Sequence, residues 1–156
     1  VNISCTLLAV FTVEELGRKP LLIVGSLGMA VGAFGVMIYF MLGGFEGSLP
    51  GMFAATSIMV YTASFMFSWG PIAWVLIAEI FPNTIRGAAV AIAVAFQWIS
   101  NFIVSSTFVS MLNWSPSGTY SIFGIVCVVA AIFVWRLVPE TKGKTLEDMT
   151  KLWGRK

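Results

Sequence analysis

The positions of the basic residues constrain this chain more than any other feature of its sequence. Lysine and arginine occur at 18 and 19, at 86, and from 136 to 156, and uncharged apolar stretches of roughly bilayer length lie between these clusters. The connections at 43–49 and 113–118 contain neither residue type. Because the cytoplasmic loops of a multi-span membrane protein carry an excess of lysine and arginine, this alternation predicts an all-α, polytopic transmembrane bundle of fixed orientation.

The composition excludes several classes of protein. Of the residues, 58% are hydrophobic and 10% are charged, whereas a soluble domain has about 25% charged residues, so an ordinary soluble domain is excluded. The net charge is only +2 and the basic residues lie near predicted membrane ends, so we expect no nucleic-acid partner. There is no histidine, and no nucleophile–base pair or metal-ligand cluster is visible. We therefore expect no enzyme, no metal site and no cofactor.

Four uncharged stretches are long enough to cross a bilayer, namely residues 20–42, 51–78, 88–112 and 119–135. Residues 1–13 are apolar but too short, and we interpret them as the second half of a span. Residues 1–135 are thus predicted to be transmembrane and residues 136–156 to form a cytoplasmic tail. The chain begins with Val1 and has no signal-peptide n-region, so we expect it to be a fragment or a processed product.

The third of these spans contains a helix-breaking pair, Gly70 and Pro71, which is a predicted hinge. Pro71 cannot donate a hydrogen bond to the carbonyl of Phe67 and its ring crowds that carbonyl, so the helix should kink or open. Broken helices at mid-membrane recur in transporter binding sites, although a purely structural kink explains the same residues. Trp69 and Trp74 flank the break, where they fit either an interfacial aromatic belt or a ligand-facing role.

The next span carries a polar face. Gln97, Asn101 and Ser105 are four residues apart and therefore lie on one side of a helix. Amides in a span are costly unless satisfied, and they usually point into a bundle or a wet cavity. Beside the indole of Trp98 they suit a neutral polyhydroxyl ligand, because amides donate and accept hydrogen bonds and the ring covers C–H faces. Hydrogen bonds between helices are the alternative explanation.

Four glycines recur along the first complete span. Gly28 and Gly32 form a G-x-x-x-G pair, which allows two helices to approach closely. Gly25 and Gly35 extend the series, so we predict that this face packs against a neighbouring helix.

The two charged turns share an unusual arrangement of signs. Glu14 and Glu79 end helices, whereas Arg18 and Arg86 begin the following ones, and each charge sits at the helix end that the dipole disfavours. Pairing of Glu79 with Arg18, or of Glu14 with Arg86, would explain both signs. It would form a cytoplasmic ionic latch present in only one conformational state. Solvated pairs, worth about 0–1 kcal/mol each, are the alternative.

Four segments of the chain resemble a known family. GRKP, WGPIAWVLIAEIFPNTIRG, QWISNF and VPETKGKTLEDM are similar to the sugar porter family of the major facilitator superfamily, and most of all to its bacterial xylose–proton symporters. The resemblance covers essentially the whole chain. It implies the major facilitator superfamily fold, of which this chain would be the C-terminal part from the end of helix 8 through helices 9 to 12.

The resemblance also implies roles for individual residues. The glucose facilitators of this family usually have asparagine at the position of Gln97, so Gln97 fits the symporter pattern. The implied substrate contacts are Trp74, Gln97 and Trp98, with Phe65 and Asn101 as further contacts. The implied cytoplasmic salt-bridge cluster consists of Glu14, Arg18, Glu79 and Arg86.

The function implied by the resemblance is transport of a pentose or hexose, coupled to protons, by alternating access. It would take place in a plasma membrane or a bacterial inner membrane, with the C-terminus in the cytoplasm. The implied partners are the sugar, protons, the lipid bilayer, the missing N-terminal domain and helix 7. Facilitated diffusion is the alternative within this class, and a transporter-like sugar sensor is the alternative outside it.

Overall fold

The computed structural model describes residues 17–43, 48–81 and 84–138, and for residues 48–50 and 78–80 it describes the backbone alone. This part of the chain forms five α-helices: α1 Arg18–Met41, α2 Ser48–Phe67, α3 Trp69–Ile80, α4 Arg86–Trp114 and α5 Pro116–Leu137. α2 and α3 form one broken span, so four segments are long and apolar enough to cross a membrane. The predicted all-α bundle is therefore confirmed.

The break between α2 and α3 lies at Ser68, three residues before Pro71. Ser68 has φ −120° and ψ −76°, outside the helical region. Its N–H is shared between the carbonyls of Ser64 and Phe65, at 3.2 and 3.3 Å, and regular bonding resumes where the N–H of Ile72 reaches the carbonyl of Ser68 at 3.1 Å. The interruption follows from the missing N–H of proline. The predicted kink is present, and its role as a hinge stays a prediction.

The connection between α4 and α5 is shorter than the sequence predicts. The sequence predicts a turn over residues 113–118, but only Ser115 lies outside the helices, so the two spans extend beyond 88–112 and 119–135. The Oγ of Ser115 accepts a hydrogen bond from the N–H of Gly118 at 3.1 Å, which caps α5. Pro116 occupies the start of α5, where its fixed φ favours the helix and no N–H is needed. The helix can therefore restart at once.

α1 packs between α2 and α5, and its side towards α2 is built from glycines. A methyl group added at Gly32 would lie 2.7 Å from the carbonyl oxygen of Ser57 and 2.7 Å from the backbone nitrogen of Tyr61. Lipid is as apolar as leucine, so close backbone packing rather than hydrophobicity holds such helices together. The predicted packing role is confirmed. The glycines of this face are Gly25, Gly28, Gly32 and Gly35, and the residues that face them are Ser57, Tyr61 and Ser64 of α2 and Ser68 of the break.

Two buried clusters fix the arrangement of α1, α3 and α5. The first joins all three helices and consists of Leu21, Leu22, Ile72, Leu76, Val134 and Val138. The second lies further along α1 and consists of Met29, Ala30 and Cys127. α4 contacts α3 and α5 at the edge of the described bundle, and none of its residues is buried there.

Candidate functional site

A cavity of about 470 Å³ lies where the break between α2 and α3 faces α4. This volume is within the range of small-molecule sites. α3 contributes five positions, four of which are spaced i, i+3, i+4 and i+7 and form one face of a helix. α4 contributes two positions one turn apart. The small residues on both helices leave the space open. The lining residues are Phe65, Trp69, Gly70, Ala73, Trp74, Ile77, Ala93 and Gln97.

The break and Gln97 lie at the same depth in the bundle. α3 has 12 residues, so Ser68 is about 18 Å from the Ile80 end at 1.5 Å per residue. Gln97 is the twelfth residue of α4, which places it about 17 Å from Arg86. Both distances are measured from the charged turn, so they put the cavity near the middle of a hydrocarbon core of about 30 Å.

The two tryptophans of the cavity have different environments. Trp69 is partly buried, and its Nε1 donates a hydrogen bond of 2.7 Å to the Oγ of Ser26 on α1. Trp74 is 43% exposed, and its N–H has no hydrogen-bond partner within the described part of the chain. Trp74 can therefore offer a ligand both a ring face and a donor, whereas Trp69 can offer only its ring.

The cavity brings together several of the residues predicted from the sequence. Phe65, Gly70, Trp74 and Gln97 all line it. The amide of Gln97 is exposed and has no hydrogen-bond partner among the described residues, so it is available to a ligand. No charged residue occurs among those that line the cavity, as a site for a neutral polar ligand requires.

Two predicted contacts lie outside the cavity lining. Trp98 is 69% exposed and is rotated by about 100° from Gln97, because consecutive residues of a helix are separated by that angle. Asn101 is one turn beyond Gln97 and is also exposed. The roles of both residues stay predictions.

The cavity also contains residues that the sequence did not single out as ligand contacts. These residues are Ala73, Ile77 and Ala93. Trp69, for which a ligand-facing role is one of the two interpretations from the sequence, also lines the cavity. The spacing of Gly70, Ala73, Trp74 and Ile77 was a readable signal of one helical face. The partnership of Trp69 with Ser26 had no such signal, because the two residues are 43 positions apart.

The predicted latch is only partly within the described residues. Glu14 lies outside them, and the structure describes Glu79 by its backbone alone. The Nε of Arg86 donates to the carbonyl of Phe81 at 3.4 Å, which places this guanidinium just beyond the C-terminal end of α3, where a positive charge is favourable. The ionic latch of Arg18, Arg86 and the two glutamates stays a prediction.

Residues 1–153 match the model of a protein family described as “Sugar (and other) transporter”. The chain belongs to this family. It is 48% identical to the D-xylose-proton symporter of Escherichia coli, over 98% of this chain and 32% of that protein. It is 41% identical to the glucose transport protein of a Synechocystis species, over 96% of this chain and 33% of that protein. It is also 38% identical to the glucose facilitated diffusion protein of Zymomonas mobilis, over 98% of this chain and 33% of that protein.

Solved structures agree with this family membership. The inward-open xylose transporter of E. coli is similar with a TM-score of 0.87 and 49% identity, over 97% of this chain and 33% of that chain. A structure of the same major facilitator superfamily symporter with bound 6-bromo-6-deoxy-D-glucose gives a TM-score of 0.87 at 48% identity, over 97% of this chain and 32% of that chain. The predicted major facilitator superfamily fold is confirmed, and the chain is a multi-pass membrane protein.

The chain spans about a third of the length of the relatives that it matches. These relatives are transporters, which are not enzymes, so the predicted non-enzymatic class is confirmed.

Proposed function

We propose that this chain is the C-terminal part of a sugar transporter that works by alternating access, with pentose– or hexose–proton symport as its mechanism. The observation that supports this function most strongly is the cavity at the helix break, where Trp74 and Gln97 converge from different helices. An indole face covers the C–H side of a sugar ring, and an amide both donates to and accepts from its hydroxyl groups. A mid-membrane cavity at a broken helix is also where secondary transporters bind their substrates.

The substrate would be held by residues from several helices. Trp74 and Gln97 are the primary contacts, and Phe65 closes the apolar side of the cavity. Trp98 and Asn101 would join the site when other segments of the transporter cover α4. The exposure of both side chains supports this proposal.

The complete transporter would contain an N-terminal domain and a helix 7 that pack against the described bundle. Residues 1–135 would be its transmembrane helices and residues 136–156 a cytoplasmic tail. The concentration of lysine and arginine in the turns and the tail supports a cytoplasmic C-terminus. The host membrane would be a plasma membrane or a bacterial inner membrane.

Facilitated diffusion is the second candidate mechanism. The cavity lining contains no group that titrates near neutral pH, so a coupling proton would have to bind elsewhere in the complete protein. One relative, at 38% identity, is a glucose facilitated diffusion protein. This combination supports a uniporter as the alternative to a symporter.

Uptake of labelled xylose and glucose by the complete polypeptide in proteoliposomes would test these mechanisms. Accumulation above equilibrium only under an imposed proton gradient is the expected result and identifies a symporter. Equilibration at the same rate with and without the gradient would identify a facilitator. Sugar binding without uptake would indicate a sugar sensor instead of a transporter. The absence of both binding and uptake would overturn the proposed function.

A further inference from the structure

The hydrogen bond between Trp69 and Ser26 joins α3 to α1 directly beside the helix break. Trp69 is the first residue of α3, immediately after Ser68. Its Nε1 lies 2.7 Å from the Oγ of Ser26, which is fully buried in α1. The Oγ of Ser26 in turn donates to the carbonyl of Leu22 at 2.8 Å.

The direction of these two bonds is fixed by chemistry. An indole nitrogen can only donate, so Ser26 must accept from Trp69, and its single hydrogen is committed to Leu22. Both polar groups are thereby satisfied in an apolar surrounding, where an unpaired hydroxyl or N–H is costly. Loss of the serine oxygen would leave the indole N–H without a partner, so this geometry favours one orientation of the Trp69 ring.

The ring of Trp69 is also in contact with both buried clusters. It packs against the cluster that contains Leu22 and Ile72 and against the cluster that contains Met29 and Cys127. It lines the cavity as well, next to Gly70. α1 contributes none of the described lining residues. Trp69 therefore links α1 to the cavity wall through its hydrogen bond and its packing contacts.

We propose that Ser26 is a positioning residue of the substrate site, which holds the Trp69 ring and thereby sets the wall of the cavity from a helix that does not touch the ligand. This inference rests on the proposed function. According to this inference, a serine outside the cavity influences the affinity for sugar. The break at Ser68 makes this restraint necessary, because the interrupted hydrogen bonds leave the start of α3 less firmly attached to α2 than an intact helix would be.

Sugar affinity in the complete polypeptide provides the first test. Ser26→Ala should raise the Kd for xylose or glucose by about three- to tenfold, the range that loss of one hydrogen bond between membrane helices supports. The matched control is Ser57→Ala, since Ser57 is also a buried serine at a helix contact, lies on α2 facing α1, and its Oγ donates to the carbonyl of Phe53 at 2.9 Å. The control should leave the Kd unchanged. Unchanged affinity in Ser26→Ala would overturn the proposal.

A double-mutant cycle separates positioning from a general packing effect. Trp69→Phe keeps an aromatic ring and removes the donor, so Ser26→Ala should add no further loss of affinity in that background. An equal loss in both backgrounds would show that Ser26 acts without Trp69, and the proposal would be wrong.

Two measurements made without sugar test the positioning role of Ser26 independently of the proposed transport function. The ¹⁵N–H resonance of the Trp69 indole, assigned by its loss in Trp69→Phe, should shift in Ser26→Ala and stay in place in Ser57→Ala. The reaction rate of a thiol reagent with Ala73→Cys, in the cavity wall, should change by about threefold or more when Ser26→Ala is added. If the wild type bound neither sugar, the proposed function would fail. The positioning role would then be decided by these two readings, and the absence of both changes would overturn it.

Discussion

Trp69 and Trp74 are five residues apart on one helix, and their surroundings decide what each can offer a ligand. The N–H of Trp69 is committed to Ser26, so only its ring is available. Trp74 keeps a donor without a partner among the described residues, and so does the amide of Gln97. In an apolar cavity a few such groups determine which ligands bind, because each unpaired group favours a hydroxyl-bearing partner.

Gln97→Ala should weaken sugar binding by about 1–3 kcal/mol, because the ligand would be left with an unpaired hydroxyl. Equilibrium binding of xylose and glucose to the complete transporter would measure this loss. Thr107→Ala is a suitable control, because Thr107 is exposed on the same helix and bonds to the carbonyl of Ile103. A neutral effect of Gln97→Ala, together with lowered thermal stability, would favour the alternative that Gln97 joins helices.

At the scale of the helices, α1 and α2 are held together by a match between glycines and small polar residues. A clash created by a larger residue at Gly32 would be the hardest to relieve, because the two nearest atoms belong to the backbone of α2 rather than to a side chain that can rotate. α1 and α2 are thus closely packed, whereas the helical hydrogen bonding of the broken span is interrupted at Ser68.

Gly32→Ala should destabilise the protein by about 1–3 kcal/mol, because the added methyl group must push α1 and α2 apart. Thermal unfolding in detergent would measure the effect. Gly87→Ala is the matched control, since a methyl group there meets no atom within 4 Å, and it should be neutral or slightly stabilising. Equal melting temperatures for the two variants would contradict the close packing at Gly32.

Pro71→Ala should lower the rate of sugar uptake several-fold. The substitution restores an N–H that can donate to the carbonyl of Phe67, so α2 and α3 can join into a stiffer helix. Uptake by the complete transporter, measured together with thermal unfolding, would detect this. Pro116→Ala, at the start of α5 where proline is well tolerated, should leave uptake unchanged. Normal uptake in Pro71→Ala would show that the break is only a structural kink and has no role in transport.

At the scale of the whole molecule, α1 is central and α4 is peripheral. α4 has 29 residues and none of them is buried within the described bundle, although most are apolar. A helix that is apolar on all sides belongs in lipid or against other helices. Because α4 carries Gln97, we infer that further segments of the proposed transporter cover this helix and complete the cavity. The chain on its own is therefore expected not to transport sugar.

Arg86→Ala should shift the complete transporter towards its inward-facing state, because one partner of the proposed cytoplasmic latch would be lost. Accessibility of Ala73→Cys to a membrane-impermeant thiol reagent from each side would report the shift. Arg136→Ala is the control, because Arg136 stacks on the Trp135 ring, with its guanidinium carbon 5.7 Å from the ring centre, and is not part of the latch. Unchanged accessibility in Arg86→Ala would remove Arg86 from the latch.

The sequence predicted the parts of this structure that depend on local or periodic signals. The spans follow from hydropathy, the break from Pro71, and the polar face from the spacing of Gln97 and Asn101. The tight connection at Ser115 was missed, although a serine before a proline is a readable start of a helix. The bond between Ser26 and Trp69 was not predictable, because it depends on how two helices are rotated against each other.

The crowded contact between α1 and α2 determines whether a natural variant of this chain would lose protein abundance or lose transport. A larger residue at Gly32 would lower the amount of protein that reaches the membrane, because the variant is degraded before it matures. A larger residue at Ala73 or Ala93 would fill the cavity and leave the amount of protein normal. A mutational scan that scores both abundance and uptake should therefore separate two classes of harmful variant, one at the contact between α1 and α2 and the other in the lining of the cavity.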